Sequence, residues 1–147
     1  MQSTVLRSTV AGIGLAALLG FAPAAFAEIQ NYTATLSPQS EVPPVTGTTA
    51  NGTLGATYDT ATRKLTYSVT YDKLTGPATG AHFHGPAAAG ANAGVVVPVT
   101  DASKSPIKGE ATLTPAQATD LQAGKWYFNV HTAANKGGEI RGQVVKK

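Results

Sequence analysis

Hydrophobic and polar residues alternate with a period of two along much of the chain beyond position 28. The clearest run is Arg63 to Tyr71, where Leu65, Tyr67, Val69 and Tyr71 interleave with Lys64, Thr66, Ser68 and Thr70. Successive side chains of a strand point to opposite faces, so this pattern predicts a strand with one face buried and one face wet. The same reading predicts strands at Ile29 to Leu36 and Gly52 to Tyr58, separated by Pro43-Pro44. Further strands are expected at Thr79 to His84, Gly94 to Val99, Ile107 to Leu113, Lys125 to Thr132 and Glu139 to Val145. About eight short antiparallel strands with turns between them predict an all-β fold, a Greek-key β-sandwich or flattened barrel.

One short helix is expected near 114–123. Thr114 is a natural N-cap, Pro115 suits the first helical position, Gln117 follows three residues after the cap, and Gly124 supplies a left-handed stop. Gly85 to Gly94 (GPAAAGANAG) is of low complexity, and its composition marks a mobile loop.

Residues 1–27 differ from the rest. They carry a single charge, Arg7, and an apolar, small-residue run from Val10 to Phe26 that closes on Ala25-Phe26-Ala27. The run is short for a bilayer span, and the small-x-small ending is that of a cleaved secretory signal. The expected organisation is a signal peptide at 1–27 and one domain at 28–147, exported to a periplasm or the exterior, with no membrane span in the mature form. The Ala-rich leader and the absence of Cys give the chain a bacterial character.

Of the 11 Lys and Arg, only Arg7 falls in the leader, so the mature part carries ten against eight Asp and Glu. The small positive excess is scattered rather than striped, which argues against nucleic acid as a partner. Without Cys, an exported domain depends on its core, or on a bound metal, for stability.

The chemistry-bearing residues are few. The three histidines lie in two strands, His82 and His84 in Ala81-His82-Phe83-His84, and His131 at the end of Trp126-Tyr127-Phe128-Asn129-Val130-His131. Trp126, Phe128 and Val130 form the core face of the second strand, so Tyr127, Asn129 and His131 face away from it. Phe83 on that same core turns His82 and His84 outward too. Two residues along a strand rise by about 6.6 Å, a gap over which two imidazoles can lean onto one ion. With a third imidazole from a neighbouring strand, the set suits copper first and zinc second. Beyond His131, Ile140 and Val144 continue a core face and leave Glu139, Arg141 and Gln143 on the outer one. Arg141 there has three readings: a surface ion pair with Glu139, a hold on a carboxylate, or a guide for an anion beside the metal. Asn129 joins Glu139 and Arg141 as a candidate around the ligands. No nucleophile elbow, reactive Cys or phosphate-cradling loop is present.

Glu41-Val42-Pro43-Pro44, Ala81-His82-Phe83-His84-Gly85-Pro86, Leu121 to Tyr127 with Asn129-Val130-His131-Thr132, and Gly138-Glu139-Ile140-Arg141-Gly142-Gln143 occur in this order. In these segments the chain resembles the CHRD, or chordin-type, domain over essentially its whole mature length. The resemblance implies an extracytoplasmic β domain with no established enzymatic activity, found singly behind signal peptides in bacterial proteins. A weaker likeness is to the copper and zinc superoxide dismutases. It would make His82 and His84 a strand pair of copper ligands, His131 a later one and Arg141 the anion-guiding arginine. The bridging histidine, the zinc ligands and the paired Cys of those enzymes have no counterpart here.

Two functions follow. One is a binding or structural module that holds a copper or zinc ion or meets an extracytoplasmic protein partner. The alternative is a small copper enzyme of superoxide dismutase-like type using the same three histidines. The module is the preferred reading, because an enzyme requires a copper centre with an open position and a module does not.

Overall fold

The computed structural model describes residues 26–147. The expected signal peptide therefore lies, except for its last two residues, outside the described residues. Eight strands follow in chain order: β1 (Ile29–Leu36), β2 (Asn51–Asp59), β3 (Lys64–Asp72), β4 (Ala78–His84), β5 (Val95–Pro98), β6 (Ile107–Thr112), β7 (Trp126–Thr132) and β8 (Ile140–Lys146). Each predicted strand is present, with ends shifted by one residue or so. A short 3-10 turn (Pro38–Ser40) and one helix, α1 (Pro115–Gln122), complete the elements.

All strand pairs are antiparallel, and the order is β5-β4-β7-β8-β1-β2-β3-β6. β1-β2-β3 is a simple meander. From β3 the chain crosses to the other half for the β4-β5 hairpin, returns to lay β6 beside β3, and crosses again to lay β7 beside β4. These crossings give the Greek-key character. The halves join where β8 meets β1 at Tyr32 with Lys146 and Thr33 with Val145, and the sheet curls into a nearly closed barrel.

The interior is filled by the inward half of each alternating strand. Phe83 sits at its centre, with ring centroids 5.0 Å from Tyr67 of the opposite half, 4.8 Å from Phe128 and 5.8 Å from Trp126. Trp126, Phe128 and Val130 are fully buried beside Leu36, Leu54, Leu65 and Ile140. Edge-to-face packing of this kind adds to the area term that drives collapse.

α1 begins with a reciprocal capping box. Thr114 Oγ1 accepts from the Gln117 amide at 3.2 Å, and Gln117 Oε1 accepts from the Thr114 amide at 2.9 Å. Its end is set by Gly124 at φ +69°, a conformation that costs glycine least. Ala118 and Leu121 seat the helix on the core.

The loop 85–94 departs from its compositional reading. It is folded down over the outer face of β4, β7 and β8 and tied there by side chains of those strands. Gln143 Nε2 donates to Ala87 O at 2.9 Å, and Ala91, Asn92 and Ala93 are all held from below. Ala and Gly content predicts freedom for the backbone; it does not register partners supplied by a distant strand.

Candidate metal centre

The site lies on the outer face of β4, β7 and β8, and strand register builds it. Across β4 and β7, Gly80 is opposite His131, His82 opposite Asn129 and His84 opposite Tyr127. On the next strand Arg141 is opposite Asn129 and Gln143 opposite Tyr127. His82 therefore meets His131 along a diagonal, and Phe83 between the two β4 histidines locks their direction by burying itself in the core.

The three imidazoles converge. One ligand nitrogen from each of His82, His84 and His131 lies within 4.8 Å of the others. His131 Nδ1 donates to Lys136 O at 2.9 Å, and His84 Nδ1 donates to Ala93 O at 3.0 Å. A carbonyl can only accept, so both rings carry a proton on Nδ1, which leaves Nε2 as the lone pair of the neutral ring. His82 Nδ1 stands 3.1 Å from His131 Nε2. His84 Nε2 is buried and has no hydrogen-bond partner. Burial pushes the His82 imidazole below its ordinary value, helped by His131 and His84. Burial likewise lowers His131, with His84 adding to it, against the opposing hydrogen bond to Lys136. Neutral rings with oriented lone pairs are what metal ligation requires, and backbone carbonyls on the far nitrogens are common outer partners of ligating histidines. The residues fit an ion.

Around the cluster the outer face is drier than alternation alone implies. Tyr127 is only 3 % exposed. Its ring lies parallel to His84, at 2° and 4.8 Å between centroids, and the Arg141 guanidinium carbon sits 3.4 Å from its centre. His84 and Arg141 reach it from the strands on either side of β7. Tyr127 Oη also meets both the amide and the carbonyl of Ala93 at 3.2 Å.

Arg141 is 2 % exposed. It donates through Nη1 to Asn92 Oδ1 at 2.9 Å and through Nη2 to Ala91 O at 2.6 Å. It makes no ion pair with Glu139; the surface pairing expected from sequence is replaced by a buried stack under the 85–94 loop. Glu139 is fully buried and serves a different group of partners. It accepts from Thr48 Oγ1 at 2.9 Å, the Thr75 amide at 2.8 Å, Thr75 Oγ1 at 2.6 Å, Thr132 Oγ1 at 2.7 Å and Asn135 Nδ2 at 3.1 Å. Burial alone would raise this carboxyl, but the hydrogen bonds from Thr75, Thr132 and Thr48 prevail and hold it at about 2. Asn129 donates to Gly137 O at 3.4 Å, and its Oδ1 is buried without a partner.

Glu41 was not singled out as a site residue by its sequence pattern. It is 5 % exposed, close to Asn129 and Arg141, and pressed against Gly138, where any side chain would run into its carboxyl. Gly138 holds φ +129°, so this turn demands glycine twice over. Burial raises the Glu41 carboxyl to about 7, against the pull of Arg141 and of hydrogen bonds from Asn129 and the Val42 backbone. The available signal was a lone acidic residue inside an apolar, Pro-rich segment.

Together these features define an all-β domain: a nearly closed antiparallel barrel with a three-histidine cluster on its outer face. The family model for the CHRD domain matches residues 32–144, and the chain belongs to that family. No curated protein and no solved structure matches it. No described helix is long and apolar enough to cross a membrane.

Proposed function

We propose that this CHRD domain is an exported module that holds one copper or zinc ion on His82, His84 and His131. The observation that carries the reading is the meeting of three imidazoles from two strands, one of them turning a buried, unpartnered Nε2 into the cluster. An ion bound there would join β4 to β7 and, through Ala93 and Lys136, both flanking loops. Such an ion acts as a staple in a chain without Cys: at a concentration a hundred times Kd it adds about 2.7 kcal/mol to stability. Affinity falls as pH drops through the histidine range, since every ligand must be deprotonated.

The dismutase-like alternative gains no support from the site. Its anion-guiding role needs a guanidinium open to solvent, whereas Arg141 is covered by the 85–94 loop and engaged with Tyr127, Asn92 and Ala91. Calorimetric titration of copper and zinc into wild type, each single His→Ala variant and the triple variant tests the module. Each single change should lower affinity sharply and remove the ion's thermal stabilisation. Equal binding by wild type and the triple variant would end the metal reading. Export is tested separately by the intact mass of the protein outside the cytoplasm, which should begin at Glu28.

A further inference from the structure

Resting on the three-histidine reading, we infer that the site selects the monovalent ion copper(I) over zinc(II) and copper(II). The donors are three neutral nitrogens, and no Asp or Glu joins the cluster among the described residues. The outer partners are neutral as well: His84 and His131 give their Nδ1 protons to the carbonyls of Ala93 and Lys136, not to carboxylates. A carboxylate in that position would make the ligands more basic and offset part of a dication's charge.

The two buried acids among the described residues, Glu139 and Glu41, are not part of the cluster. Glu139 is wrapped by Thr48, Thr75, Thr132 and Asn135. Glu41 is pressed against Gly138 and drawn towards Asn129 and Arg141. Positive charge belongs to the same framework. The Arg141 guanidinium is stacked on Tyr127, which is itself stacked on His84, and Lys136 is the residue whose carbonyl holds His131.

The cost of placing an ion in a partly dry site grows with the square of its charge, so a dication meets about four times the penalty of a monocation in the Born picture. Its repulsion from Arg141 and Lys136 is also twice as large. Coordination number points the same way. Structural zinc is almost always four-coordinate, and the described residues supply three ligands.

The test compares affinities on the intact mature protein. Copper(I) is titrated anaerobically against a chromogenic copper(I) chelator, and zinc(II) and copper(II) by calorimetry, for wild type, Lys136→Glu and the triple His→Ala variant. Wild type should hold copper(I) at least about a hundredfold more tightly than either dication. Lys136→Glu changes an exposed side chain and keeps the carbonyl that orients His131. It should strengthen both dications, with a logarithmic shift about twice that for copper(I), because the energy scales with ion charge. A merely structural effect would move all three ions alike. If zinc(II) or copper(II) binds wild type as tightly as copper(I), or if the shifts are equal, the selectivity is wrong and the three-histidine site stands. If no ion distinguishes wild type from the triple variant, the site itself is wrong and the selectivity falls with it.

Discussion

His82 Nδ1 and His131 Nε2 stand 3.1 Å apart, and the proton between them belongs to His82. His131 spends its own proton on the Lys136 carbonyl, so its Nε2 can only accept. In their neutral forms all three rings are thus Nδ1–H tautomers, with His82 occupying the lone pair that an ion would need.

Metal uptake should therefore switch one tautomer and leave two unchanged. Nitrogen-15 spectra of the metal-free protein should show Nδ1–H for His82, His84 and His131. On loading with zinc, His84 and His131 should keep that form while His82 moves its proton to Nε2. Three rings that all keep Nδ1–H on saturation, or a His131 that begins as Nε2–H, would contradict the geometry.

Glu41 should make the protein less stable in alkali. Its folded-state value near 7 lies above the ordinary 4.5, so the folded state retains the proton longer than the unfolded chain. Its contribution is greatest at low pH and is lost as pH rises from 4.5 through 7. Glu41→Gln removes the burden of a buried anion. Urea unfolding should find the variant more stable relative to wild type at pH 8 than at pH 5, with a difference of up to about 3 kcal/mol. A constant difference between the two pH values would show that Glu41 does not titrate there.

Glu139 acts in the opposite sense. Its folded value of about 2 lies below the ordinary 4.5, so its stabilisation is complete above 4.5 and disappears as pH falls towards 2. Glu139→Ala leaves the hydroxyls of Thr48, Thr75 and Thr132 without their acceptor and should cost about 3 kcal/mol at neutral pH. The cost should shrink at pH 2, as followed by denaturant unfolding at both values.

Phe128→Ala should cost about 3 to 5 kcal/mol, the usual range for a buried aromatic. Its ring packs on Phe83 at 4.8 Å and is fully buried. Native Trp126 fluorescence should be blue-shifted and shielded from soluble quenchers. A red-shifted, freely quenched Trp126, or a cost below about 1 kcal/mol, would contradict the packing.

The barrel was legible because a strand writes its two faces into alternate residues. Leu65, Tyr67 and Val69 announced β3, and Trp126, Phe128 and Val130 fixed the direction of His131 without any knowledge of a partner strand. The helix was legible for a local reason as well, since Thr114 and Gln117 satisfy each other within one turn. Alternation states which face a side chain takes, however, and not what later covers that face. Tyr127, Arg141 and Glu139 face outward as expected and are nonetheless buried. Their covers come from Ala93, Asn92 and Thr48, positions 34, 49 and 91 residues distant along the chain. Glu41 was legible only as part of a segment that carries the family resemblance, because that segment has no period from which a direction could be read.

The tethered 85–94 loop also alters how the domain meets proteases. An Ala- and Gly-rich stretch looks like an open invitation to cleavage. Here Ala91, Asn92 and Ala93 are fastened to Arg141, His84 and Tyr127, while Ala88, Ala89 and Gly90 form an exposed crest that none of those side chains ties down. Nicking needs a backbone that can extend into an enzyme's cleft, so vulnerability is greatest at that crest. Seating of the loop by His84 and Arg141 thus makes the durability of this protein a property of its outer face as much as of its core.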